Sequence, residues 1–301
     1  MASSQELTRR IKSIKSTRKV TRAMQMVSAS KMRKSQLAAL ASRAYAAQAE
    51  RLLTGLHYSN QDELEQSGLT DAFHASLALL QPRLGAVRIA IVVISTNRGL
   101  VGGFNANLIS EVLAAERVYG SQFVDYFVVG QKAMDTLTRL KRSVTAHFIK
   151  ADAPSMNDDV YPLAHLLEKG FQAGTYAEVV LVYNKFISTL AQKVVREPLL
   201  PLTVESGGGT EAGEGIFMYE PDPRAVLSQL LPKVFESRLY QALLENDAAE
   251  HSARMLMMKN ATDSAGDLIA DLTLTYNQLR QNKITTELSE ITAGKIALEN
   301  T

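Results

Sequence analysis

Catalytic chemistry would need a nucleophile, paired carboxylates or metal ligands, and the sequence offers few of these. The chain has 301 residues and no cysteine, which excludes disulfides, thiolate metal sites and cysteine nucleophiles. Its five histidines are scattered without metal-ligand spacing. Five aspartates of the middle region are unpaired along the sequence, which gives no indication of acid–base work: Asp125, Asp135, Asp152, Asp158 and Asp159. These residues indicate no active site belonging to the chain itself.

The glycine-rich segment Gly99–Gly103 is the remaining candidate for chemistry. It follows an apolar run and precedes a helical pattern, which is the position of a phosphate-binding loop in dinucleotide-binding folds. Its pattern matches neither GxGxxG nor the GxxxxGK signature of P-loops. A tight strand-to-helix turn that needs small residues is the favoured interpretation, and a nucleotide-binding enzyme is the weaker one. We therefore expect no cofactor and no metal ion on this chain.

Positive charge is concentrated at the N-terminus. Residues 1–49 contain eleven Lys/Arg and one acid, Glu6, a net charge of +10, whereas the remainder of the chain carries −8. So dense a basic helix is typical of a segment that faces nucleic acid, anionic lipid or an acidic protein surface, and a solvated face is the alternative. The first aromatic residue is Tyr45, so stacking on bases is unavailable to the basic segment.

Both chain ends must be long helices. Ser3–Thr54 has neither glycine nor proline, and residues 233–301 have no proline and two glycines. In the second segment a seven-residue repeat, typical of a left-handed coiled coil, is formed by Met258, Thr262, Ala265, Ile269, Leu272, Tyr276 and Leu279. The first segment has two apolar stripes, Ile11, Ile14, Met24 and Val27, then Leu37, Leu40, Ala41, Ala44 and Ala47. We predict an antiparallel coiled coil in which the C-terminal helix extends beyond its partner.

Strands alternate with helices between the two ends. Apolar, β-branched runs predict strands at 87–95, 123–129, 144–149 and 177–183, with an antiparallel neighbour at 186–198 and a last short strand at 216–219. This alternation indicates a Rossmann-like α/β domain with a mainly parallel sheet. Residues 205–215 are glycine-rich and acidic, which predicts a flexible insert. Expected domains are therefore 1–57, 83–219 and 222–301.

The start of the C-terminal helix has its own signals. Asp222 is expected to be the N-cap, with Pro223 in the first turn. Pro232 is expected to kink or restart the helix, which would displace the start of the long helix to Lys233.

Three stretches of this sequence resemble the gamma-subunit family of the rotary F-type ATP synthases, bacterial type. Ile11–Gln36 follows the family's first helix, and Ser95–Leu108 (STNRGLVGGFNANL) resembles its glycine-rich turn. Ile284–Ala297 matches the family's C-terminal signature. The resemblance extends over essentially the whole chain.

The resemblance implies a central-stalk rotor shaft, without catalysis of its own, that couples ion-driven rotation to ATP synthesis or hydrolysis. Implied partners are three alpha and three beta subunits around one shaft, an epsilon subunit and a ring of membrane rotor subunits, without nucleic acid or direct membrane insertion. ATP, ADP and Mg would be bound by the partner subunits. With no transit-peptide pattern after Met1, we expect a peripheral protein on the cytoplasmic side of a bacterial membrane.

Matching motif positions also imply site residues. Those expected to couple the rotor to the stator are Lys19, Arg22, Met24, Arg254, Gln281, Thr285 and Glu287. Those expected to contact a bearing are Ile284, Leu288, Ile291 and Leu298. The alternative function is a basic coiled-coil protein that binds a nucleic-acid backbone, which would leave the C-terminal signature and the α/β domain unexplained.

Overall fold

The computed structural model describes residues 4–59, 76–83, 85–150, 154–203, 220 and 222–299. The expected insert at 205–215 and the strand at 216–219 lie outside these residues. Contacts divide the chain into two units. We call them the helix-pair unit, Met1–Ser28 with Arg254–Thr301, and the sheet unit, Ala29–Ala253.

The two terminal helices are long and uninterrupted. Helix α1 is Ser4–Ser59, with 56 residues, and the last helix, α5, is Pro223–Glu299, with 77 residues. Oδ1 of Asp222 accepts hydrogen bonds from the backbone N–H of Arg224 and of Ala225, both 2.9 Å, which confirms the predicted N-cap.

The expected restart of this helix at Lys233 is wrong, because α5 continues through Pro232. Proline has no N–H, so the carbonyl of Ser228, four residues earlier, loses its helical donor. The hydroxyl of Ser76 donates to that carbonyl instead, at 3.0 Å. Leu231, Val234 and Phe235 are fully buried on either side of the proline and hold both parts of the helix in the core.

A five-stranded sheet forms the centre of the sheet unit, in the order β3-β2-β1-β4-β5. Its strands are β1 Arg88–Ile94, β2 Val124–Val129, β3 Val144–Phe148, β4 Tyr176–Phe186 and β5 Gln192–Leu200. The first four are parallel, and β5 pairs antiparallel with β4. The connecting helices are α2 Phe104–Tyr119, α3 Gln131–Arg139 and α4 Tyr161–Gln172.

Both faces of the sheet are covered, which is why its inner strands are apolar throughout. One face packs on α2 and α3 through residues such as Leu108 and Leu137. The other face packs on α4 and on the inner parts of both terminal helices, where Leu53 and Phe235 are buried. The predicted α/β fold class, with terminal helices around a Rossmann-like domain, is confirmed.

The second apolar stripe predicted on α1 is wrong. Leu37 and Leu40 are 68% and 60% exposed, and Ala41 and Ala47 are exposed as well. The buried residues of this stretch lie on another face of the helix and include Met32, Ser35, Ala39, Ala49 and Leu53. Small residues occupy most faces of this alanine-rich segment, so the sequence pattern alone does not identify the face that packs.

Candidate functional site

The helix-pair unit is held by a continuous heptad seam. On α5 the predicted seam is confirmed: Met258, Thr262 and Ala265 are buried, and the four positions from Ile269 to Leu279 are half-buried. On α1 residues at the same spacing are buried or half-buried, except at the exposed Arg18: Leu7, Ile11, Ile14, Thr21, Met24 and Ser28. Val27, predicted for this seam, is instead 56% exposed.

Two contacts show that the helices are antiparallel. The hydroxyls of Thr21 and Thr262 are 2.8 Å apart and share a hydrogen bond. One turn towards the N-terminus of α1, the Arg18 guanidinium lies beside Gly266, where an added Cβ would be 3.4 Å from its carbon. Continued in this register, Ser4 lies opposite about Leu279.

Among the described residues of the helix-pair unit, no helix packs against the part of α5 that follows Leu279. Every residue from Arg280 to Ala293 is exposed. Three of the predicted bearing residues lie here, Ile284, Leu288 and Ile291, at 47%, 59% and 70% exposure. The side chain of the fourth, Leu298, is outside the described residues. An exposed apolar stripe on a bare helix indicates a surface that another protein covers.

Seven basic side chains of α1 within the helix-pair unit are exposed: Arg9, Arg10, Lys12, Lys15, Arg18, Lys19 and Arg22. The only acid in this part of the sequence is Glu6, whose carboxylate accepts from Arg10 at 2.6 Å. Lys19 and Arg22, two of the predicted coupling residues, therefore belong to a continuous positive surface. Met24 is half-buried in the seam beside them.

The predicted coupling residues of α5 fall into two groups that the structure does not bring together. Arg254 is only 8% exposed, whereas Gln281, Thr285 and Glu287 are exposed. At about 1.5 Å per residue, roughly 40 Å of helix separates Arg254 from Gln281. Thr285 donates to the carbonyl of Gln281 at 3.0 Å, and Glu287 lies 3.6 Å from Lys283. All seven residues stay predictions as coupling sites.

The glycine-rich turn after β1 contacts α5. Leu100 and Gly102 have positive φ angles of 64° and 61°, and Val101 and Phe104 pack on Ala249 and Ala253. Helix α5 therefore lies where a phosphate-binding loop would need open space, which agrees with the interpretation as a tight turn.

A buried charge cluster lies next to this turn. The Lys150 ammonium contacts the Asp247 carboxylate and lies 2.8 Å from Oε2 of Glu250. Oδ2 of Asp247 also accepts from the backbone N–H and the hydroxyl of Ser155, at 2.8 and 2.9 Å. Burial lowers the pKa of Lys150, but the two carboxylates raise it by more, so its pKa lies above the ordinary value.

Sequence reasoning missed this cluster. Its members are about 100 residues apart along the chain, so no spacing pattern could reveal them. A signal was nevertheless present: Glu245, Asn246 and Asp247 interrupt an otherwise apolar and small-residue stretch of α5, and buried polar residues at such positions need partners.

Across the described part of the chain, no group of His, Asp or Glu side chains could hold a metal ion. Within the same residues, no helix combines the length and apolar character needed to cross a bilayer.

Known proteins resemble this chain over its full length. The family model described as ATP synthase matches residues 3–298. The ATP synthase gamma chain of Herpetosiphon aurantiacus is 41% identical, with 99% of each chain covered. That of Aromatoleum aromaticum is 38% identical over 99% of this chain and 100% of its own.

Solved structures with a similar fold come from two mitochondrial ATP synthases. A chain of the Euglena gracilis OSCP/F1/c-ring structure has a TM-score of 0.64 at 18% identity, covering 98% of this chain and 94% of its own. A chain of the Tetrahymena thermophila central stalk and c-ring has a TM-score of 0.59 at 22% identity, covering 80% and 99%. At such identities these structures show the fold alone.

Proposed function

Because this chain belongs to the family of ATP synthase gamma chains, we propose that it is the central-stalk rotor shaft of a rotary ATP synthase and performs no catalysis itself. The observation that carries the proposal is the helix-pair unit, in which an antiparallel pair exposes a basic surface and a bare, apolar helix end. A long paired helix is stiff, and its unpaired end needs a partner to be stable in water.

The partners are alpha and beta subunits around the shaft, an epsilon subunit and a ring of membrane rotor subunits. The apolar stripe Ile284, Leu288 and Ile291 would be covered by the bearing that the alpha and beta subunits form. At each rotational position the shaft would favour one conformation of each beta subunit. Rotation would change which conformation is favoured in each of them. ATP, ADP and Mg belong to the partner subunits in this proposal.

The basic surface suits a contact that must form and break on each turn. Exposed ion pairs contribute only about 0–1 kcal/mol each and are screened by salt. Several such pairs with an acidic loop of a beta subunit would position the shaft without locking it. Lys19, Arg22 and Met24 lie on or beside this surface and are proposed to meet that loop.

The location follows from the partners. The shaft would be a peripheral protein held at the cytoplasmic side of a bacterial membrane through the rotor ring.

Purification from membranes tests this proposal. The full chain is tagged in its own organism, recovered from detergent extracts and weighed together with its partners by native mass spectrometry. We expect one copy with three alpha and three beta subunits. Recovery with nucleic acid and without these subunits would refute the rotor proposal and favour a backbone-binding role for the basic surface.

A further inference from the structure

The carboxyl edge of the parallel sheet is occupied by the chain's own helix. In open α/β sheets a ligand binds outside the carboxyl ends of the strands, where the strand order reverses. Here the order reverses between β1 and β4. At that point the backbone N–H of Asn184, on β4, donates to Oδ1 of Asn246 on α5 at 3.3 Å. Helix α5 therefore fills the crevice in which a ligand would bind, and we call this crevice the seat of α5.

Charged and polar groups connect this seat to three parts of the sheet. Lys150 follows β3 and holds Asp247 and Glu250 of α5, while its own carbonyl accepts from Nδ2 of Asn97, after β1, at 2.6 Å. At the end of β4, the hydroxyl of Ser252 on α5 donates to the carbonyl of Thr189 at 2.6 Å. The ammonium and the two carboxylates are nearly inaccessible to water, with side-chain exposures of 4%, 0% and 9%.

The buried charges restrict rotation of α5 about its own axis, which apolar packing alone does not. The hydrophobic effect is non-directional, so a helix in an apolar groove resists removal more than it resists turning or sliding. Asp247 and Glu250 are three residues apart, on one face of α5. A small turn of the helix would pull both carboxylates from the ammonium and leave buried charges uncompensated, which is costly. The cluster therefore fixes the rotational position of α5 in its seat.

We propose that Lys150, through Asp247 and Glu250, is a positioning residue for rotary coupling: it makes the five-stranded sheet and the seated part of α5 turn together. The inference rests on the proposed rotor function and assigns a place where torque passes into the helix. Asn97 and Ser155 hold the two sides of the cluster in position.

The test uses membrane vesicles that contain the whole complex. Two variants are compared with wild type: Lys150→Met, and a neutral triple variant, Lys150→Met with Asp247→Asn and Glu250→Gln. Removing all three charges together avoids the unpaired carboxylates that could prevent folding of the single variant. ATP hydrolysis and ATP-driven ion pumping are measured on the same vesicles, normalised to the assembled complex.

We expect hydrolysis by the triple variant close to wild type and ions pumped per ATP reduced about threefold or more, within the range by which mutations change coupling between sites. Lys169→Met, which removes an exposed lysine of α4, is the matched control and should pump normally. If the cluster had a purely structural role, the triple variant would assemble less well, but the number of ions pumped per ATP would stay unchanged.

Two outcomes would overturn the inference. A triple variant that pumps with the wild-type ratio would show that the charges do not transmit rotation. A triple variant that never assembles would show that they serve folding alone. Wild-type vesicles that lack alpha and beta subunits and do not pump would instead refute the proposed function itself.

Discussion

Lys150 is a single side chain whose charge depends on two others. Burial alone would favour the neutral amine, yet Asp247 and Glu250 keep the pKa of Lys150 above its ordinary value of 10.5. A lysine with a pKa raised in the folded state stabilises the fold fully below the unfolded-state pKa. That contribution is lost as the pH rises through the folded-state pKa.

The pH dependence of unfolding should show this. Between pH 7 and 10 the difference in unfolding free energy between the wild-type chain and the neutral triple variant should stay constant. Above about pH 10.5 it should shrink by up to about 1.4 kcal/mol per pH unit, because only the unfolded chain releases the Lys150 proton there. Denaturant titrations of the full chain at several pH values measure the difference. A difference that changes below pH 9 would contradict the assignment.

Met24 allows a test of the proposed coupling residues. Met24→Lys would add a positive charge to the basic surface where we propose an acidic loop passes. The added attraction would hold one rotational position and raise the barrier to leaving it. We expect fewer ions pumped per ATP in vesicles, with assembly unchanged. Met24→Leu, which keeps an apolar side chain of similar size, is the control and should couple normally; equal pumping by both variants would count against the placement.

At the scale of elements, α5 tolerates Pro232 because another segment supplies the missing donor. Ser76→Ala should destabilise the full chain by about 1 kcal/mol, since it leaves the Ser228 carbonyl without that donor. In a Pro232→Ala background the restored N–H can bond this carbonyl, so Ser76→Ala should cost much less. A double-mutant cycle by denaturant unfolding measures the coupling. Ser252→Ala, whose hydroxyl bonds a different carbonyl, should be additive with Pro232→Ala.

Two glycines inside helices should respond to alanine in opposite ways. At Gly266 an added Cβ would meet only the flexible Arg18 side chain, at 3.4 Å, so Gly266→Ala should stabilise α5 by up to about 1 kcal/mol. At Gly170 the Cβ would lie 2.5 Å from the ring of Tyr176, which is itself packed edge-on against Phe127. Gly170→Ala should therefore destabilise α4 by about 1–3 kcal/mol. Denaturant midpoints of the two variants test the signs.

The elements differ in how far the sequence predicts them. The α5 seam was predictable because Ile269, Leu272 and Leu279 continue a seven-residue repeat, which keeps them on one side of the helix, whereas Leu268 and Leu274 fall outside the repeat and are exposed. The buried face of the inner half of α1 was not predictable, because alanines and serines lie on nearly every face of the helix and Leu37 and Leu40 stay exposed. There the buried face depends on contacts with distant segments, such as the hydrogen bond from Arg43 to Glu245 on α5, 202 positions away.

Some parts of the candidate site could likewise be predicted from the sequence, and one could not. The basic surface and the apolar stripe at Ile284–Ile291 were predictable, because each lies on a single helix. The Lys150 cluster was not, because it exists only after β3 and α5 have been brought together. Contacts between distant segments are invisible to local spacing rules.

The whole molecule separates its charges: residues 1–49 carry +10 and the remainder −8. Association with an acidic partner should therefore slow as salt rises, since the Debye length falls from about 30 Å at 0.01 M to about 8 Å at 0.15 M. Stopped-flow assembly of the chain with alpha and beta subunits measures this.

The association rate should depend less steeply on salt concentration when three exposed basic residues of α1 are replaced by Gln: Arg9, Lys12 and Lys15. We call this dependence the salt slope. Replacing three exposed lysines of the sheet unit, Lys141, Lys169 and Lys193, is the matched control and should leave the salt slope nearly unchanged. An equal effect of the two sets would mean that net charge, rather than the basic surface, steers association.

The hydrogen bond between Thr21 and Thr262 joins residues 241 positions apart. At about 5–20 residues per second of synthesis, the first half of the seam leaves the ribosome roughly 10–50 s before its partner. During that interval the nascent basic helix has no seam to pack against, and β1 to β4 are synthesised before its partner appears. The helix pair can therefore close only after the rest of the chain has been synthesised, and a translation product that ends near Ala253 would contain the sheet unit but not the C-terminal partner of the basic helix.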